Sequence, residues 1–192
     1  MIVKSTKLSW ENIVLRPIEY SDYEKIFQWH SDTENLHLWW TDRYVYSFEI
    51  FIEVFKRKVA SNYLTAFIIT VRNEEKITDV GLVYAYNANI IDKYSYICVY
   101  LEPTHTNQHI GVKAGFIICR YLFKYFGLRK IYAEVFEYNS PSSKILERNG
   151  FKSEAILQNH RWYDNKYWNL QIMALYRDDF DKKESEFEST VG

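Results

Sequence analysis

Apolar positions recur along this chain with two periods, two and about 3.6 residues, and the switches between them mark out its elements. Ile13-Val14-Leu15-Arg16-Pro17 reads as a short strand. Ser21-Asp22-Tyr23-Glu24 is a capping-type start, after which Tyr23, Ile26, Phe27 and His30 fall at helical spacing. A second helix is predicted over Ser47–Val59. Three strand-like runs follow, Leu64–Val71, Thr78–Ala88 and Tyr94–Leu101, parted by polar turns at Arg72–Lys76 and Asn87–Lys93. This middle part reads as an antiparallel meander. The clearest helix starts near Gly111, with Val112, Gly115, Phe116, Cys119, Leu122, Phe123 and Phe126 on one face. Gly127 is placed to end it in a left-handed conformation. Lys130–Phe136 is a further strand, and Ser140-Pro141 opens a short helix that Gly150 closes. Phe151–Tyr176 reads as two strands joined by a turn at Asp164-Asn165. The order β-α-α-β-β-β-α-β-α-β-β predicts a mixed α/β domain.

The 192 residues suit one compact domain, taken here as 1–176, with 177–192 as an acidic tail, solvated and frayed. With 26% charged residues and a net charge of −1, the chain lacks the bulk basic field of a nucleic-acid binder. Cys98 and Cys119 lie far apart in apolar segments, as buried free thiols do, and no His/Asp/Glu grouping has metal-ligand spacing. The start, Met1-Ile2-Val3-Lys4-Ser5, lacks the apolar core of a signal peptide, and no apolar run approaches the ~18 residues of a membrane span. A cytoplasmic protein with no membrane partner is expected. Glycine is scarce, at 6 residues, whereas Tyr, Phe and Trp number 17, 12 and 6.

Chemistry is most legible where the strand Tyr94–Leu101 runs through the polar loop Glu102–Gly111 into the apolar helix. A loop that feeds a helix N-terminus presents unpaired N–H groups and the positive end of the helix dipole, a ready site for a pyrophosphate. Every strand–loop–helix unit has such an end, so an ordinary connection explains it equally well.

Three matches in order add to it. Pro103 leads a loop into a helix that ends in Phe123 and then Gly127-Leu128; the strand Lys130-Ile131-Tyr132-Ala133-Glu134-Val135 follows; last comes Asn139-x-x-Ser142 with a terminal Gly150-Phe151. With Leu15-Arg16-Pro17 and Asp22 at the start, the set resembles the Gcn5-related N-acetyltransferase (GNAT) superfamily, nearest its ribosomal-protein and small-amine branch, from about Ile13 to Tyr176. The resemblance implies a mostly antiparallel sheet, splayed between its fourth and fifth strands and flanked by about four helices. Acetyl-CoA would enter as co-substrate where Tyr94–Leu101 and Lys130–Phe136 part. The family's phosphate loop, Arg/Gln-x-x-Gly-x-Gly/Ala, falls without gaps on Thr106-Asn107-Gln108-His109-Ile110-Gly111, so His109 stands where the first glycine is expected and Thr106 replaces the first residue.

What the resemblance implies for single residues follows from those matches. Leu101, Gln108, His109, Ile110, Gly111, Val112, Lys113 and Asn139 would bind the cofactor, with His109 and Lys113 reaching its phosphates. Backbone groups near Leu101 would polarise the thioester carbonyl. Ser142 would serve the leaving thiolate, or is simply a first-turn helix residue. The tyrosine that many relatives use in that helix is Leu146 here. Glu102 and Glu134 are the candidate bases, each alternatively an exposed strand-edge carboxylate. His105 and His160 are further acid/base candidates. Trp29, Trp39, Trp40, Trp162 and Tyr163, with His30, His37 and Trp168, lie in the segments expected to hold the acceptor, where they would form aromatic walls or simply core. Asn169 stands where an aspartate is common, which disfavours a highly cationic polyamine. The acceptor is expected to be a small-molecule amine (an amino sugar or aminoglycoside) or a peptide N-terminus, and a homodimer is possible. The contrasting reading is a non-catalytic GNAT-fold binding protein with a degenerate phosphate loop.

Overall fold

The computed structural model describes residues 8–190 apart from 41, 42, 62, 75, 107 and 108. In chain order they form β1 (Ser9–Trp10), β2 (Ile13–Pro17), α1 (Tyr23–Ser31), α2 (Thr33–Trp39), α3 (Phe48–Ser61), β3 (Tyr63–Arg72), β4 (Ile77–Asn89) and β5 (Tyr94–Leu101). Then come α4 (Ile110–Tyr125), β6 (Lys130–Phe136), α5 (Ser140–Arg148), β7 (Lys152–Tyr163), β8 (Lys166–Tyr176) and α6 (Arg177–Thr190). The strands join in one sheet, in the order β1-β2-β3-β4-β5-β6-β8-β7. All neighbours pair antiparallel except β5 and β6, which are parallel.

Period-two alternation divides the sheet's apolar side chains between two layers. Phe67, Ile69, Val83, Ala85 and Ile97 face α4, whose Ile110, Ala114, Ile117, Ile118 and Leu122 complete that core. Ile68, Leu82, Tyr84 and Tyr100 point the other way, into a second cluster with Ile26 and Trp29 of α1, Leu36 and Trp39 of α2, and Phe51 and Phe55 of α3. The mixed α/β architecture is the one the periodicity predicts. Gly127 (φ +60°) and Gly150 (φ +92°) close α4 and α5, and Asp164 and Asn165 carry the paired positive φ of a two-residue hairpin turn.

Four details differ from the sequence reading. Helix α2 replaces an expected connection; at seven residues it is too short to show a period, and Asp32 caps it by accepting the Glu34 N–H at 3.2 Å. The residue capping α5 is Asn139 rather than Ser140. The two-residue β1 extends the sheet. Within the stretch expected to fray, 177–190 is helical: Phe180 is buried, with its ring 4.7 Å from Phe116 and 5.1 Å from Phe123.

One guanidinium ties the front of the chain to the sheet. Arg16 on β2 donates to both oxygens of Asp22 at 2.7 and 2.8 Å and to those of Asp79 on β4 at 3.3 and 2.5 Å. Asp22 also accepts the Glu19 N–H at 2.8 Å, and Thr70 Oγ1 donates to Asp79 at 2.7 Å. Burial alone would raise the Asp22 carboxyl, but Arg16 and the Glu19 amide hold it below its ordinary value. Removing the cation leaves buried Asp22 opposite Asp79 without its partner. Arg16→Ala is therefore expected to lower stability by about 2 kcal/mol, read by denaturant unfolding; a loss within about 0.5 kcal/mol, the scale of a plain surface substitution, would show that the network is incidental.

A second ionic group joins β6, β7 and β8. Lys130 Nζ meets the Glu154 oxygens at 2.9 and 3.0 Å, and the Tyr176 hydroxyl donates to the same carboxylate. Burial works against ionisation, yet Tyr176, Lys130 and Tyr132 outweigh it and bring Glu154 down to about 2 from 4.5. A depressed carboxyl contributes stability that is complete above its unfolded value and drains as pH falls through its folded one. Between pH 4.5 and 2 the wild type is expected to lose melting temperature more steeply than Glu154→Gln; parallel curves would contradict this.

Candidate active site

Strand β5 pairs with β6 at only three positions, Tyr94↔Lys130, Ser95↔Ile131 and Tyr96↔Tyr132. Beyond them Ile97–Leu101 continues alongside β4, up to Gly81↔Leu101, while Ala133–Phe136 continues alongside β8, up to Phe136↔Leu170. A wedge therefore opens between the C-terminal halves of two parallel strands. Gly81 lets β5 lean away, because a Cβ there would lie 2.1 Å from the Tyr100 carbonyl oxygen.

Each strand end feeds a helix N-terminus on the same edge of the sheet, β5 into α4 and β6 into α5. A 3-10 turn at Pro103–His105 carries the chain from β5 toward α4. His109 then caps α4 with φ +56°, the left-handed conformation that a glycine adopts most cheaply. The residue change at the loop's first glycine position thus leaves the backbone turn in place, and the Lys113 N–H closes the first helical turn onto the His109 carbonyl at 3.1 Å. Ile110 is buried, Val112 is half-buried, and Gly111 presses onto β5, where a Cβ would stand 3.2 Å from Leu101 Cδ1. The first N–H groups of α4 have no partners within the helix, so the loop fits a pyrophosphate. Lys113 pairs with Glu11 in the β1–β2 turn, and Gln108 lies outside the described residues.

Asn139 caps α5 without using its side chain, and Ser142 sits half-buried in the first turn, its N–H on the Asn139 carbonyl at 3.1 Å. Leu146 packs into the α4-side core. Glu102 and Glu134, proposed for one task, stand in different places. Glu102 lies in the loop, 3.5 Å from His105 Nδ1. Glu134 projects from β6 on the α1–α3 side of the wedge, and its Oε2 accepts the Tyr86 hydroxyl at 3.0 Å. Burial and the adjacent Glu134 push the Tyr86 and Tyr96 phenols up, so both stay protonated donors. Tyr96 stacks on Tyr132 at 4.9 Å and meets Tyr86 at 5.6 Å, so phenol rings from β4, β5 and β6 form a row on one face of the sheet.

The end of α2 spans the wedge. Cys98 Sγ and the Tyr84 hydroxyl approach the Trp39 carbonyl at 3.8 and 3.4 Å, whereas Tyr138, just past β6, donates to the His37 carbonyl at 2.9 Å. Arg161 of β7 donates to the Trp40 carbonyl at 3.3 Å and lies 4.3 Å from the Phe136 ring centre. The expected aromatic walls divide accordingly. Trp29, Trp39 and Trp40 are 4%, 8% and 2% exposed and belong to the packed cluster with His30. Tyr163 stacks on His37 at 4.4 Å and stands 4.9 Å from Tyr138, itself beside Trp168, while Trp162 is open to solvent against Tyr167. Asn169 serves the backbone, accepting the Asn159 N–H at 2.9 Å. His160 is exposed on β7.

Tyr86, Tyr138, Arg43 and Arg161 were not singled out from the sequence. Tyr86 shares the alternation of Tyr84 on β4 and faces Glu134 only across β5, so the signal for it is the meander's register. Among the described residues no group of three His, Cys, Asp or Glu side chains stands close enough to hold a metal, and no helix is long and apolar enough to cross a membrane.

These features are those of a GNAT acyltransferase, and the acetyltransferase (GNAT) domain model matches residues 12–152. The chain belongs to that family. It is 20% identical over 168 residues to an uncharacterized N-acetyltransferase, YnaD, of Bacillus subtilis (strain 168), covering 85% of this chain and 95% of that protein. Among solved structures it resembles the spermidine N-acetyltransferase of Vibrio cholerae in complex with CoA and spermine, with a TM-score of 0.79 at 20% identity over 88% of this chain and 98% of that one. A dodecameric structure of the spermidine N-acetyltransferase from the same organism matches with a TM-score of 0.72 at 21% identity, covering 88% and 96%. At such identities the structural likeness speaks for the fold.

Because His109 holds a left-handed conformation outside any turn of helix, His109→Gly is expected to raise stability by up to about 1 kcal/mol in thermal or denaturant unfolding. A loss above about 1 kcal/mol would show that the imidazole itself holds the loop.

Proposed function

We propose that the chain transfers the acetyl group of acetyl-CoA to the primary amine of a small molecule or a peptide N-terminus, by direct attack in a ternary complex. The observation that carries the reading is the wedge. It opens after the Tyr96↔Tyr132 pair, with the N-terminus of α4 at one lip and Glu134 on the opposite face. Acetyl-CoA supplies an activated thioester. The N–H groups that open α4 at Ile110, Gly111 and Val112 face its pyrophosphate. Backbone groups of Ile97–Leu101 that no longer pair with β6 bind its pantetheine arm and polarise the carbonyl near Leu101. Asn139 lines the other lip, and Ser142 donates to the departing sulfur.

An ammonium cannot attack, so its proton must leave first. Glu134 is better placed than Glu102 for that task. It projects into the wedge, Tyr86 fixes one of its oxygens, and among the described residues Oε1 has no hydrogen-bond partner. Glu102 faces His105 in the loop outside. The reading includes assembly as a homodimer, for which exposed Ile156 and Leu157 on the outermost strand β7 offer an apolar edge.

The test is thiol release from acetyl-CoA across an amine panel. Glu134→Gln is expected to lower kcat by about 10²–10⁴-fold, the usual share of a general base, and Glu102→Gln to cost far less. Equal losses in the two variants would remove Glu134 from this role. No thermal stabilisation by acetyl-CoA, CoA or a longer acyl-CoA at millimolar concentration would overturn the reading in favour of a non-catalytic binding domain.

A further inference from the structure

Within the α1–α3 layer, the indole nitrogen of Trp39 takes no part in the hydrogen bonding that the described residues show. Trp39 is 8% exposed, and among the described residues its Nε1–H has no hydrogen-bond acceptor. An indole N–H only donates, and a buried unmade bond is a standing cost that a ligand oxygen would remove. Its place is informative. The ring lies 4.3 Å from that of Tyr100, over the half of β5 that has parted from β6. Two guanidinium groups gather at the same end of α2. Arg161 donates to the Trp40 carbonyl and covers Phe136, the last residue of β6. Arg43 donates to the carbonyl of the next residue on β7, Trp162, at 2.8 Å. Beyond them Lys166 Nζ stands 3.6 Å from the Trp168 ring centre.

Among the described residues, the side chains that gather at this mouth from Arg43, Arg161 and Lys166 are cations. Burial first, then Arg161 and Arg43, hold His37 below its ordinary value against the Glu34 contact that raises it. The acidic neighbour Glu137 accepts the Asn169 N–H at 3.3 Å on the β8 side. A polyamine, with cationic groups along its length, would meet these cations after placing one nitrogen at Glu134.

We propose that the acceptor is an amine bearing an oxyanion, a carboxylate or a phosphate, received by the Trp39 N–H in the field of Arg161 and Arg43 while its ammonium lies at Glu134. The inference rests on the acetyl-transfer reading for the place of the amine, but its binding preference is measured separately from turnover.

Matched pairs isolate the anion: glucosamine 6-phosphate against glucosamine, and γ-aminobutyrate against n-butylamine, with spermidine as the cationic comparison. Each is titrated calorimetrically into the full chain with CoA present, then assayed with acetyl-CoA. In at least one pair the anionic member is expected to bind about tenfold more tightly than its partner, the scale of one charge-assisted hydrogen bond, and more tightly than spermidine. Which pair responds distinguishes phosphate from carboxylate. Trp39→Phe keeps a ring in the core without the donor and is expected to bring the ratio toward one. Arg43→Ala, at an exposed position, does so without the risk of unfolding a buried site. A merely looser fold would weaken both members of a pair alike. Anionic members that bind no better than their partners, spermidine binding tightest, or a ratio unchanged in both variants would overturn the proposal. Anionic amines that bind but accept no acetyl group would instead contradict the transfer reading alone.

Discussion

The close approach of β5 to β4 at Gly81 governs the rest of the molecule. With a side chain there, the Tyr100 carbonyl would have to retreat, and β5 would have less freedom to follow β4. Because it does follow β4, only three residues of β5 pair with β6, and both strand ends deliver helix N-termini to an open edge. A parallel pair that parts midway leaves backbone donors and acceptors without ladder partners, a cost that a bound ligand with alternating amides can recover. The sheet is thus incomplete between the C-terminal halves of β5 and β6.

Around this opening the electrostatics are graded. The loop side offers helix N–H groups and a left-handed His109, with Lys113 paired to Glu11. The interior offers the Glu134 carboxylate, held by a phenol that burial keeps protonated. The outer mouth is aromatic and cationic, through Tyr163, Trp168, Arg161, Arg43 and Lys166. The aromatic abundance of the sequence divides along the same gradient: three tryptophans fill the core under α1–α3, while the rings of the last hairpin remain near the surface.

Much of this was legible in the sequence because it depends on local patterning. Strands β5 and β6 were read with their observed bounds, since both alternate cleanly and both end at polar turns. The helix ends at Gly127 and Gly150 followed from single residues. What stayed hidden depends on long-range placement. Helix α2 is too short to carry a period, yet it bridges β5 and β7. Phe180 reads as one apolar residue in an acidic stretch, and only its docking on Phe116 and Phe123 makes it core. His109 reads as a lost glycine, although the backbone holds the glycine conformation regardless. Likewise Glu102 and Glu134 are equivalent as letters; the register of β4 against β5 is what gives Glu134 its tyrosine and leaves Glu102 in the loop.

The most direct test of the wedge as the acyl-CoA cleft is amide hydrogen exchange with and without acetyl-CoA. The account predicts new protection confined to two stretches, the parted half of β5 at 97–101 and the opening turn of α4 at 110–113, with β3 and β7 unchanged. Binding that protects other segments and leaves these two exchanging as before would contradict it.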